Sequence, residues 1–81
     1  MFERNVKFNT IDQIKDFVTY ISGIDADFDI IHNRYLIDAK SIMGIFSLDL
    51  SNVLVLRANT DDKNIEKNVD EMLKNIGAIR P

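Results

Sequence analysis

The run Val53-Leu54-Val55-Leu56-Arg57-Ala58 does most to limit what this chain can become. It is rich in β-formers and nearly continuous in apolar residues, which suits an interior strand with helices covering one face rather than a solvated edge. The rest of the chain must then supply neighbouring strands and helices with one apolar stripe each. With 81 residues in all it can bury only one core, so residues 1–81 are expected to form a single domain.

Two segments provide the stripes. Thr10-Ile11-Asp12-Gln13 reads as a capping box, in which the Thr hydroxyl and the Gln side chain each satisfy a main-chain N–H that a starting helix leaves unpaired. Ile11, Ile14, Phe17, Val18 and Ile21 follow at spacings of three and four, and Gly23 is suited to the left-handed conformation that ends a helix. The spacing predicts a helix over 11–22. Thr60-Asp61-Asp62 supplies a second cap with acidic groups at the positive end of the helix dipole. Ile65, Val69, Met72, Leu73 and Ile76 then keep helical spacing up to Gly77.

Strands fill the remainder. Phe2, Val6 and Phe8 lie on one side of an extended N-terminal segment that Arg4 interrupts. Phe28-Asp29-Ile30-Ile31 and Tyr35-Leu36-Ile37 are joined around Asn33-Arg34, the economical reading being a hairpin. Between hairpin and interior strand, Ser41 can cap one or two helical turns that expose Ile42, Met43 and Phe46. The order βαββαβα follows: an α+β fold, a four-stranded and mainly antiparallel sheet with helices on one face.

Composition narrows the function. A net charge of −3 with scattered basic residues is a poor match to a phosphate backbone, so no nucleic-acid partner is expected. The absence of cysteine excludes disulfides and thiolate metal sites. The N-terminal residues lack a basic segment followed by an apolar run, and no stretch approaches the ~20 apolar residues of a membrane span. A cytoplasmic location without membrane association is the expectation.

Residues 38–48, Asp-Ala-Lys-Ser-Ile-Met-Gly-Ile-Phe-Ser-Leu, together with Asp25-Ala26-Asp27 and the hairpin between them, resemble the middle of an HPr protein, the histidine-containing phosphocarrier of the sugar phosphotransferase system. In that family the Lys-Ser-Ile-Met-Gly run marks a regulatory serine and a small second helix. The resemblance covers roughly residues 17–76 and implies an HPr-like open-faced sandwich. The N-terminal quarter departs from it. Family members carry a loop of the type Gly-(Leu/Ile)-His-Ala-Arg-Pro, whose His accepts phosphate and whose Arg helps bind it. Ungapped alignment back from residue 40 puts Thr10 at the His position, Asp12 at the Arg position and Gln13 at the Pro position.

That replacement points to loss of the carrier role. Phosphoryl relay needs a nucleophilic imidazole and a labile adduct, with donors to stabilise the charge. An alcohol without a base gives too stable an ester, and Asp12 repels the incoming phosphate. The resemblance instead implies a non-catalytic regulatory or partner-binding protein. Ser41 would be the target of an HPr kinase, and Lys40, Ile42, Met43 and Phe46 would meet a protein partner, such as that kinase or a regulator or enzyme of carbon metabolism. Two alternatives stand beside it: a phosphocarrier using a non-standard acceptor residue, and a structural or assembly module that pairs through an exposed sheet edge or the Met43–Phe46 surface.

The plainer readings are also definite. Ser41 can be a cap and nothing more, and the apolar residues after it can be core. His32, the only histidine, reads as an exposed turn residue at the hairpin tip. Asp25, Asp27, Asp29 and Asp38 alternate as on a solvated sheet face, so no metal site is expected. No cofactor is implied.

Overall fold

The computed structural model describes all 81 residues. The elements in chain order are β1 (Phe2–Val6), α1 (Ile11–Ser22), β2 (Asp27–His32), β3 (Tyr35–Asp38), α2 (Ile42–Phe46), β4 (Leu54–Asn59), α3 (Lys63–Asn75) and β5 (Ile79–Arg80). The fold is α+β, with every strand pair antiparallel in the order β3-β2-β4-β1-β5. The expected four strands are therefore joined by a fifth, which pairs Val6 with Ile79 and Asn5 with Arg80.

β4 lies at the centre, as its composition requires, and sorts the sheet into two faces. Leu54, Leu56 and Ala58 are buried, and opposite them lie Val6, Arg4 and Phe2 of β1, with Leu56 and Ala58 also facing Ile30 and Phe28 of β2. The buried side chains of this face join Ile14, Phe17 and Ile21 of α1, Ile45 of α2 and Val69, Met72 and Leu73 of α3 in one core. All three helices therefore cover the same side. The other face carries Glu3, Asn5, Asp29, Ile31, Val55 and Arg57, all exposed or half-buried.

α1 spans the predicted residues, and its capping box is complete: the Gln13 N–H donates to Thr10 Oγ1 at 3.1 Å, while Gln13 Oε1 accepts from the Thr10 N–H at 3.1 Å. Caps of this kind contribute about 1 kcal/mol. Burial of Ile14, Phe17 and Ile21 contributes about 2 kcal/mol for each side chain, so packing, more than capping, holds the helix. Ile11, expected in the stripe, is 59% exposed because it occupies the first turn, beyond the edge of the core. Gly23 is not left-handed: its φ is −84°, and Ile24 donates to the Ile21 carbonyl to continue the turn.

α3 ends with the left-handed glycine that α1 lacks. Gly77, at φ +75°, donates to the Lys74 carbonyl, and Ala78 donates to that of Leu73 at 2.9 Å. These two bonds form a Schellman motif. They reverse the chain so that β5 returns along β1. Asp62, not Thr60, is the cap of this helix, accepting from the Asn64 and Ile65 N–H groups.

Arg4 explains the charge that interrupts the first strand. It lies on the helix-covered face, where its guanidinium donates to Asp70 at 2.7 and 3.1 Å and to Glu66 at 2.7 Å, and it sits 5.1 Å from the Phe2 ring centroid. The Arg4 pKa is raised, chiefly by the Asp70 hydrogen bond. The same guanidinium is the main reason the Glu66 carboxyl lies below its ordinary range. No helix is long and apolar enough to cross a membrane.

Candidate functional site

Ser41 is the N-cap of α2: its Oγ accepts from the Gly44 N–H at 3.1 Å, with Ser41 itself extended at φ −97°. The absence of a side chain at Gly44 leaves room for this bond, since a Cβ there would stand 3.2 Å from Ser41 Oγ. Ile45 alone is fully buried and pins the short helix to the core, a residue the pattern at 42, 43 and 46 had not singled out. Met43 is 75% exposed and Phe46 40%, while Ile42 is half-buried against the core. The projecting apolar surface of α2 is thus Met43 and Phe46.

Lys40 turns away from that surface. Its ammonium donates to the Ile24 carbonyl at 2.8 Å and lies 5.9 Å from the Phe28 ring centroid, which ties the approach to α2 onto the end of α1.

The fold brings the first turn of α1 to α2. Phe8, Thr10, Ile11, Phe46 and Leu50 line a shallow depression of about 150 Å³. Thr10 shares it with Phe46. The Thr10 hydroxyl is spent on the cap, and no imidazole or carboxylate hydrogen-bonds to it. Asp12 is exposed on the same turn. Gln13 does more than close the cap: Oε1 also accepts from Asn9, and Nε2 donates to the Ile76 carbonyl at 2.9 Å.

A second concavity lies at the hairpin tip. His32, Tyr35 and Ile37 form one wall and Ser47, Leu48 and Asp49 the other, enclosing about 520 Å³. His32 is half-buried at the last position of β2, opposite Tyr35, and is therefore less open than a turn residue. The Ser51 hydroxyl and N–H, at 2.6 and 3.1 Å, hold the Asp49 carboxyl below the ordinary carboxylate range, with smaller contributions from His32 and Asn52. The groove joins segments far apart in sequence, and only the turn-forming Asp49-Leu50-Ser51-Asn52 hints at it.

Asp27, Asp29 and Asp38 lie on the open sheet face, Asp29 between Asp38 and Arg57 and bonded by Asn59 at 3.1 Å. No three His, Asp or Glu side chains converge as a metal site would require. Neither a scan against models of known protein families nor a search of curated proteins finds a match to this chain.

Proposed function

We propose that this chain is an HPr-like, non-catalytic regulatory protein with an open-faced sandwich fold, which binds a protein partner through α2 and the first turn of α1. One observation carries the reading: Met43, Phe46 and Ile11, three large apolar side chains, remain exposed where two helices meet, next to a serine whose hydroxyl is already oriented by a helix start. Apolar groups of this kind exposed together mark contact surfaces, and methionine adapts to more than one partner shape.

Phosphorylation of Ser41 would add about two negative charges at the edge of that surface, beside the N–H groups that begin α2. The Lys40 ammonium, held by Ile24, leaves the charge facing outward toward a partner. The Lys-Ser-Ile-Met-Gly run supports a kinase of the HPr type as the modifying enzyme.

Incubation with purified HPr kinase and ATP is expected to add one acid-stable phosphate, mapped by mass spectrometry to Ser41 and absent in Ser41→Ala. An unmodified chain would remove the switch. An acid-labile adduct formed with Enzyme I and phosphoenolpyruvate would replace the regulatory reading with a carrier.

A further inference from the structure

Tyr35 lies on the core side of the sheet yet outside the core. It stands two positions before Ile37, which opposes the buried Ile30, so its side chain is on the helix-covered face, and His32 opposite it shares that face. The helices stop short of both: Tyr35 is 65% exposed and His32 half-buried. What faces them instead is the chain that leaves α2, across the concavity of about 520 Å³. That volume falls within the roughly 300–1,000 Å³ of small-molecule sites. Tyr35, Ile37 and Leu48 give it its apolar lining.

The polar atoms around the groove mostly accept hydrogen bonds, because the protein has engaged much of its donor capacity. The Ser47 hydroxyl donates to the Gly44 carbonyl at 2.6 Å, so its oxygen is left to accept. Asn52 donates its amide to Asp49 at 3.0 Å, and Asn33 turns its amide nitrogen toward His32 Nε2 at 3.4 Å; the side-chain oxygens of both remain for another molecule. Asp49 Oδ1 takes the two bonds from Ser51, whereas Oδ2 takes only that from Asn52 and keeps a lone pair. These bonds hold the carboxyl ionised. No lysine or arginine lines the groove to neutralise it. A metal ion asks for more carboxylate or imidazole ligands than converge here.

We propose that the groove between the β2–β3 tip and the chain after α2 binds a small organic cation, an ammonium group carried on an aromatic body. The charge answers the Asp49 carboxylate, and the remaining ammonium hydrogens answer the Asn33 and Asn52 oxygens. The ring packs on Tyr35 and against Ile37 and Leu48. An anion of the same size meets the wrong charge, and a neutral ring forgoes the ion pair. The groove shares no residue with the surface formed by Ile11, Met43 and Phe46.

Titration of the isotope-labelled full chain with benzylamine at pH 7 is expected to give saturable amide shifts at Tyr35, Ile37 and residues 47–52, with a Kd of about 1 mM or below. Benzyl alcohol, the same ring without the charge, should bind at least about tenfold more weakly, and benzoate should leave these amides unmoved. Asp49→Asn keeps an oxygen for the Ser51 bonds and should raise the benzylamine Kd about tenfold without changing that of benzyl alcohol. Tyr35→Ala, at an exposed side chain, spares the fold and should weaken both. Nα-acetyl-lysine methylamide, which presents the ammonium as a protein side chain would, should bind at least about tenfold more weakly than benzylamine. Shifts that do not saturate by about 20 mM, benzyl alcohol as tight as benzylamine, or a folded Asp49→Asn of unchanged affinity would each overturn the proposal. A tighter lysine derivative would also overturn it, giving the groove to a partner protein.

Discussion

Where β5 closes one side of the sheet, the chain protects its own edge; where β3 ends the other side, it does not. β5 pairs through only two residues, and the Arg80 guanidinium folds back to the carbonyls of Gly77 and Ile79. Asn5 donates to the carbonyl of Pro81, a residue with no N–H of its own to offer a neighbour. Lys7 donates to the Ala78 carbonyl, which extends the seam beyond β1. β3 is twice as long, and Tyr35 and Leu36 stand 65% and 57% exposed on it. The difference teaches that the two edges are closed to different extents: one is sealed by a short strand, charge and proline, and the other only at its end, where the Asp38 carbonyl accepts from Ser41, with Leu36 left exposed before it.

The contrast is most sharply tested by the same truncation on each side. Leu73→Ala, in the fully buried residue whose carbonyl Ala78 caps, should lower unfolding stability by about 2–5 kcal/mol through lost burial and the cavity left behind. Leu36→Ala should change it by less than about 0.5 kcal/mol in the same urea unfolding measurement. Equal losses would mean that the β3 side is as firmly built as the β5 side.

A smaller effect is expected at the turn that delivers β5. Gly77→Ala forces a side chain into φ +75° and should cost about 1 kcal/mol, with hydrogen exchange accelerating at Ala78 and Lys7 before it does in β2. Uniform acceleration across the sheet would show that β5 is not a separate closure.

A loss of similar size should come from Arg4. Its bonds to Asp70 and Glu66 tie β1 to α3, but they are partly open to solvent and screened, so Arg4→Met should cost about 1 kcal/mol at pH 7. The sign with pH is fixed by Glu66, whose folded pKa is depressed mainly by the Arg4 hydrogen bond. Its contribution is complete above the unfolded carboxyl pKa of about 4.3 and is lost as pH falls through the lower folded value. The gap between wild type and variant should therefore narrow below about pH 4 in urea titrations. A gap that stays constant in acid would assign Arg4 a packing role instead.

Much of the fold was legible from local chemistry. The α1 capping box, the stripes of α1 and α3, the hairpin around Asn33 and the central β4 each rest on residues a few positions apart. Asn33 supplies the one positive φ of the hairpin turn, 54°, without the glycine that would have advertised it. What escaped is nonlocal or too short. β5 is two residues long, below any period, and exists because the Schellman turn aims the chain back along β1. Arg4 read as an interruption because its partners lie more than 60 residues away on α3. The candidate surface divides in the same way: Ser41 as a cap could be read from its neighbours, whereas the meeting of Ile11 with Phe46, the inward turn of Lys40 and the joining of His32 with Asp49 depend on which elements the core draws together.

Gln13 links these parts. Its carbonyl oxygen holds two N–H groups at the start of α1, and its amide nitrogen reaches the carbonyl of Ile76, the C-cap of α3. One side chain thus makes the beginning of the first helix and the end of the last mechanically interdependent. A partner that displaced it while docking beside Ile11 would loosen both termini at once, and so carry a signal from the helical surface to the sealed rim of the sheet.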